Sequence, residues 1–366
     1  MWAEIDLGAI RHNIGVLRSL CNGAEVMGVV KGYAYGHGNP ACAWAMLEGG
    51  ASRLGVARVA EALHLREAGI EAPIHVFTEP PTDAIGTVLD LDITPTVYTE
   101  SFASSLSGAA VDRGSRVGIH LKIDTGMHRV GVTADHIDDL VGVVTALPGL
   151  HIEGVWSHLA VADVPDHPFT RKQLDLFSEL IARLDKAGVR PRYKHVANSA
   201  ATLSMPESHL DLVRCGIAAY GLWPGAALAH TVDLRPAMSV RARVNMVKDV
   251  PAGDRLSYGL NYEMKRSSKV VTVPAGYADG YGRGLSGVAD VIIDGRRHKV
   301  SGTVCMDQFM VDVGSSNVEV GAVATLLGRD GQELVSAEEL AAQLGTINYE
   351  ITSRIASRVP RLYLDE

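Results

Sequence analysis

A chain of 366 residues exceeds what one hydrophobic core usually holds, so one large domain and a smaller one are expected. With 47% hydrophobic and 21% charged residues it has the composition of an ordinary soluble globular protein, and a net charge of −8 without any lysine or arginine run argues against a nucleic-acid partner. The start, Met1-Trp2-Ala3-Glu4-Ile5-Asp6, lacks the basic-then-apolar pattern of a secretory leader, and the most apolar stretch, Cys215 to Ala229, is interrupted by Gly221, Pro224 and Gly225.

Cys21, Cys42, Cys215 and Cys305 lie far apart and match neither a disulfide framework nor a CxxC metal pair, so reduced thiols in a cytoplasmic protein are expected. The histidines form no HExxH or comparable ligand spacing, and no metal is expected.

In chain order, a helix with Ile10, Ile14 and Leu17 on one face comes first. Short β-branched runs then alternate with segments of helical period. The candidate strands are 26–31, 54–57, 74–78, 93–98, 117–123, 152–157, 193–197 and 212–217, with a long helix from Pro168 to Ala187 between the sixth and seventh. Eight βα units within residues 1–233 suit a (β/α)8 barrel, whose usual size is about 250 residues. From residue 234 to 366 the texture changes to period-two alternation, as in Ser239 to Met246, with strands at 270–274, 289–294, 308–313 and 322–327 and a late helix near 336–344. This is a second, mainly β domain, which the first few residues of the chain are free to join.

Gly282-Arg283-Gly284-Leu285-Ser286-Gly287 fits GxGxxG, but a strand-like run follows it where a dinucleotide site needs a helix, so a loop is expected there.

Residues closing a barrel strand point into a shared mouth. Lys31 closes the first predicted strand and is followed by Gly32-Tyr33-Ala34-Tyr35-Gly36-His37-Gly38, which supplies glycines for unusual backbone angles and a tyrosine hydroxyl beside the amine. A lysine desolvated in such a mouth can condense with an aldehyde cofactor. The run Val29-Val30-Lys31-Gly32-Tyr33-Ala34-Tyr35-Gly36-His37-Gly38 resembles the signature of the alanine racemase family around its pyridoxal-phosphate (PLP) lysine.

The resemblance continues almost end to end. Lys122-Ile123-Asp124 to Arg129, Trp156-Ser157-His158 to Asp163, His195 to Asn198-Ser199, and Arg214-Cys215-Gly216-Ile217 follow in the family's order. In the β domain come Ser257-Tyr258-Gly259, Gly276-Tyr277 to Gly280, Val304-Cys305-Met306-Asp307, and Ile347-Asn348-Tyr349.

The resemblance implies a PLP-dependent interconversion of L- and D-alanine that supplies the cell wall. Lys31 and Tyr258 would be the bases for the two faces of the α-carbon, with His158 orienting Tyr258 and contacting Arg214. A free tyrosine titrates near 10, so as a base it needs such help. Tyr35, Asn198, Ser199, the amides of Gly216 and Ile217, and Tyr349 would hold the cofactor, and backbone amides just past the last barrel strand match the usual phosphate position of this fold. Arg214 would face the pyridine nitrogen. A guanidinium cannot take a proton from the ring, which makes it a weaker electron sink and favours return of a proton to the α-carbon over transamination.

Arg129 and the amide of Met306 would anchor the substrate carboxylate. Lys122, seven residues before Arg129, matches a lysine that carries a carbamate in some relatives, and a carbamate would hold the Arg129 guanidinium where a bare ammonium would repel it. Asp163, Tyr277, Arg283 and Ile347 match the family's entrance to the site, while Thr303 stands where several relatives have arginine. The family's head-to-tail homodimer implies that Tyr258 and Met306 serve a neighbouring barrel. A racemase for serine or another small side chain, a barrel-type PLP decarboxylase of a basic amino acid, and a non-catalytic PLP-binding protein are the alternatives. Arg214 argues against the decarboxylase, which favours a carboxylate near the ring nitrogen, and the β domain argues against the binder.

Overall fold

Apolar runs of the first two thirds of the chain align side by side in one direction. In the computed structural model, which describes residues 1–365, an opening strand β1 (Trp2–Asp6) precedes β2 (Glu25–Val29), β3 (Arg53–Val56), β4 (Ile74–Val76), β5 (Ile93–Val97), β6 (Val117–Asp124), β7 (Leu150–Trp156), β8 (Tyr193–His195) and β9 (Leu212–Cys215). Strands β2 to β9 form one parallel sheet in the order β9-β2-β3-β4-β5-β6-β7-β8. Its ends meet where the Asp211 amide donates to the Lys194 carbonyl at 3.2 Å and the Arg214 amide to that of Ala197 at 3.1 Å, leaving a nearly closed barrel.

The helix Leu7–Leu20 buries Ile10, Ile14 and Leu17 completely, as their spacing requires. The helix Pro168–Lys186 opens on proline, whose missing N–H costs nothing at that position, and the His167 ring caps it by accepting from the Phe169 amide. Among the described residues, no helix is long and apolar enough to cross a membrane.

Residues 9–34 and 39–235 make one compact unit; residues 1–8, 35–38 and 236–366 make the other. In the second unit β1 pairs antiparallel with β10 (Met238–Arg243) and parallel with the C-terminal strand Arg361–Leu364. The strands Met246–Val250, Ser268–Val273 and Phe309–Gly314 form a separate antiparallel sheet. The run Ser239 to Met246, read as one alternation, is therefore two strands, split at Val244-Asn245 so that its halves serve different sheets. The Gly282–Gly287 segment is a short turn over Arg283–Leu285 followed by the strand Asp290–Ile293, so the dinucleotide pattern there has no helix behind it.

Candidate active site

The first barrel strand stops at Val29, earlier than expected, and Lys31 stands just beyond it in a turn of unusual hand. Gly32, Tyr33, Ala34 and Tyr35 all take left-handed angles, with φ of 62°, 54°, 55° and 52°. For a non-glycine residue that conformation costs about 1–2 kcal/mol, so three in succession must be held from outside.

Several contacts hold it. The Gly32 amide donates to Glu61 at 2.7 Å and the Ala34 amide to the Val30 carbonyl at 3.0 Å. In the second unit, Arg361 donates to the Gly36 carbonyl at 2.9 Å, and a Cβ on Gly36, itself at φ 86°, would lie 2.0 Å from the Thr352 oxygen. Glycine is required there. This docking sets the Tyr35 ring 6.1 Å from that of Tyr349.

Around the barrel mouth the groups are cationic. Lys31 is partly buried, and desolvation lowers its pKa, helped by the charges of Arg129 and Arg214 against the opposing pull of Glu61. Lys122, buried on β6, lies 4.5 Å from the Trp156 ring and donates to the Ile123 carbonyl at 3.1 Å. Burial, then the charges of Arg214 and Arg129, hold its amine well below the usual lysine range. Arg129 is exposed on the loop after β6, which Asp124 shapes by accepting from the amides of Gly126 and His128.

Arg214 lies on the last barrel strand, fully enclosed. Its guanidinium donates to the carbonyls of Ser157 (2.9 Å) and Val196 (3.0 Å), to His158 Nδ1 (3.1 Å) and to His195 Nδ1 (3.0 Å). Asp211, just before the last barrel strand, accepts from the Lys194 amide at 2.8 Å. Burial and the Arg129 charge push Arg214 down to about 9, so it stays charged at neutral pH. Because a guanidinium only donates, His158 Nδ1 must be the acceptor, which assigns the ring proton of the neutral imidazole to Nε2. Burial, then the charges of Arg214, Arg129, Lys122 and Lys31, hold His158 well below the ordinary histidine range.

The strand ends beside Arg214 gather donors. Asn198 caps the helix Ser199–Ser204 by accepting from the Ala201 amide, and the Ser199 hydroxyl accepts from the Gly216 amide at 2.9 Å. Gly216, at φ −101° and ψ −102°, ends the last strand two residues earlier than expected and turns the chain into Ile217–Tyr220. Asp163 lies on an exposed loop, its carbonyl 2.8 Å from where a Cβ on Gly225 would be.

In the second unit Tyr258 is 73% exposed, Met306 53% and Ile347 61%; Tyr277 and Arg283 are exposed as well. These side chains point away from their own unit's core, yet their backbones are fixed. The Thr303 hydroxyl donates to the Tyr258 carbonyl at 2.8 Å, and Ser257 donates to the Thr303 carbonyl at 2.6 Å. Thr303 thus holds the Tyr258 segment, a contact the sequence did not signal. Gly276 lets the Met306 backbone approach so closely that a Cβ would lie 2.2 Å from the Met306 oxygen, and Arg358 ties Asp279 (2.8 Å) to Asp307 (2.6 Å) beside it.

Known proteins of one family match the chain over its whole length. The family profile "Alanine racemase, N-terminal domain" matches residues 5–224, and "Alanine racemase, C-terminal domain" matches residues 237–363. The chain is 44% identical to an alanine racemase of Methanococcus maripaludis, covering 100% of this chain and 98% of that one. It superimposes on the alanine racemase of D-cycloserine-producing Streptomyces lavendulae with a TM-score of 0.95 at 42% identity, over 100% and 97% of the two chains. A histidine racemase from Leuconostoc mesenteroides shares the fold at 28% identity and TM-score 0.92, over 99% and 97%. With both family domains matched in order and identity above two in five over the full length, this chain belongs to the alanine racemase family.

Proposed function

We infer that this chain is a PLP-dependent isomerase that interconverts L- and D-alanine, supplying D-alanine for the cell wall from the cytoplasm. The observation that carries the reading is the pairing of a pKa-lowered Lys31 with an Arg214 whose hydrogen-bond acceptors, among the described residues, are all neutral. The donor set fits the cofactor. Arg214 can only donate to a ring nitrogen, and the Ser199 hydroxyl and Gly216 amide meet at the strand ends where this fold usually seats a phosphate. Tyr35 and Tyr349, with Asn198 and Ile217, complete the proposed holding set.

When bound, PLP supplies an electron sink that acidifies the α-C–H of an amino acid. The chain's own groups then move the proton. Lys31, its ammonium form disfavoured, exchanges a proton at one face of the α-carbon. Tyr258 of the partner subunit serves the other face, and the Nε2–H of a neutral His158 donates to that phenolic oxygen, stabilising its deprotonated form. Arg129 and the Met306 amide fix the substrate carboxylate. The exposure of Tyr258 and Met306 supports a homodimer in which the domain at 234–366 completes the site of the barrel at 1–233 in the other subunit. Asp163, Tyr277, Arg283 and Ile347 are assigned to its entrance. The four free thiols suit a reducing cytoplasm.

Loss of optical rotation from L-alanine by the yellow, cofactor-loaded protein tests the reading. Carbon dioxide release would instead make it a decarboxylase, and a yellow protein inert to alanine a binder. The histidine racemase neighbour means the fold admits other side chains, so a panel of L-amino acids including serine and histidine is part of the test.

A desolvated Lys122 amine whose ammonium form is disfavoured is a nucleophile toward carbon dioxide, and we propose that it carries a carbamate facing Arg129. Protein equilibrated with ¹³C-bicarbonate is expected to give a carbamate carbon resonance that Lys122→Arg lacks. A bare amine at ordinary carbon dioxide levels would refute this assignment.

A further inference from the structure

Barrel interiors are ordinarily filled by layers of branched apolar side chains. Here three buried imidazoles, His75, His120 and His195, occupy that space with the indole of Trp156, which stacks on His195 at 5.6 Å with ring planes 2° apart. His195 Nε2 lies 2.9 Å from His120 Nδ1, and His120 Nε2 lies 3.4 Å from the Glu153 carboxylate. Glu153 is in the middle of β7, and its other oxygen is 3.4 Å from Arg53, whose guanidinium stacks 4.0 Å over Tyr193. Space for the His120 ring is made by Gly154, where a Cβ would fall 2.6 Å from that ring. His75 stands 4.5 Å away with its Nε2 on the Thr96 hydroxyl.

Hydrogen-bond polarity along this line is forced from one end. Arg214 only donates, so His195 Nδ1 accepts and its proton sits on Nε2. That proton is donated to His120 Nδ1, which leaves the His120 proton on Nε2, on the side of the Glu153 carboxylate 3.4 Å away but short of hydrogen-bond geometry. Both hydrogen bonds of the line, Arg214 to His195 and His195 to His120, point away from Arg214 toward the side of the carboxylate. The His120 ring beside it and the charge of Arg53 outweigh burial and hold Glu153 down at about 2, so it is an anion throughout the working range. A chain of like polarity strengthens each member, and the nearest acceptor of Arg214 on this side is the one so strengthened.

We propose that Glu153 is a positioning residue for Arg214, acting through His120 and His195 as the remote counter-charge that orients the guanidinium toward the cofactor ring. The proposal rests on the reading that Arg214 faces that ring. It links Arg214 to a carboxylate in the middle of β7, on the far side of His120 and His195 from the guanidinium.

The test is ¹⁵N spectroscopy of histidine-labelled, cofactor-loaded protein beside its visible absorbance and steady-state kinetics. In the wild type, His120 and His195 are expected as Nε2–H tautomers; an Nδ1–H form of either ring overturns the chain without any variant. Glu153→Gln keeps the shape and removes the charge. It is expected to move the His195 Nδ1 resonance, shift the cofactor band and lower kcat about tenfold with little change in KM, as loss of the counter-charge that polarises the line implies. Glu153→Asp, which retains the charge, should restore part of each signal. If Glu153→Gln lowers Tm but leaves the His195 resonances and cofactor band unmoved, Glu153 is only the structural partner of Arg53. Arg214→Lys separates the two levels. A cofactor band indifferent to Arg214→Lys refutes the ring-facing reading and the proposal with it, whereas a band that responds to Arg214→Lys and not to Glu153→Gln refutes the proposal alone.

Discussion

A Lys31→Ala chain supplied with PLP is expected to racemise alanine at least about 10⁴-fold more slowly than the wild type, because one substitution removes both the covalent anchor and one of the two bases. The fold should survive. The left-handed turn that presents Lys31 is held by the amides of Gly32 and Ala34 and by Arg361 on Gly36. Far-ultraviolet circular dichroism superimposable on the wild type, together with flat optical rotation from L-alanine, is the expected pair of results. Substantial turnover by the variant would mean that another group supplies the first base. Lys122 is the nearest candidate by chemistry, since burial and two arginine charges also push its amine toward the neutral form.

The second large effect is one of rescue. Tyr258→Ala alone is expected to be nearly as inactive as Lys31→Ala, since a base for one face of the α-carbon is then missing. Mixed after reversible dissociation, the two inactive chains should recover about a quarter of the wild-type rate: half of randomly reassorted dimers are mixed, and each mixed dimer holds one intact site and one doubly defective site. The exposure of Tyr258 and the fixing of its carbonyl by Thr303 are what a side chain offered to a neighbour requires. If mixed dimers form, as a mass tag on one chain would reveal, and no activity returns, then Lys31 and Tyr258 act within one chain or not as a pair.

How much of this was legible beforehand follows from which interactions are local. Most barrel strands carry β-branched residues, and each announced itself within a residue or two of its bounds. Gly216 is a local signal too, and it stands where the last strand turns away. The hand of the turn after Lys31 was not legible. Tyr33, Ala34 and Tyr35 have no propensity for positive φ, and what imposes it includes Arg361, 325 residues further on. β1 reads like an ordinary strand, but its partners Met238–Arg243 and Arg361–Leu364 lie at the far end of the chain.

The histidine line was hidden for another reason. His120 and His195 sit on different strands, and a polar residue in an apolar run reads as an interruption unless its partner is known. Gly154, beside Glu153, was the available hint, because a glycine inside a strand marks a close approach. The sequence offers Arg214 as a candidate for the cofactor ring, but its four neutral acceptors, which fix the His158 and His195 tautomers, belong to the folded state alone.

The central claim is that two opposed bases act on one α-carbon. The most direct test is the isotope at that carbon in D-alanine formed from protiated L-alanine in deuterium oxide, read by mass spectrometry at low conversion with the cofactor-loaded enzyme. With one of Lys31 and Tyr258 removing the proton on one face and the other delivering on the opposite face, the D-alanine should carry solvent deuterium from the first turnovers. Protium carried from the substrate into the D-alanine product would mean that a single base serves both faces, and would contradict the account.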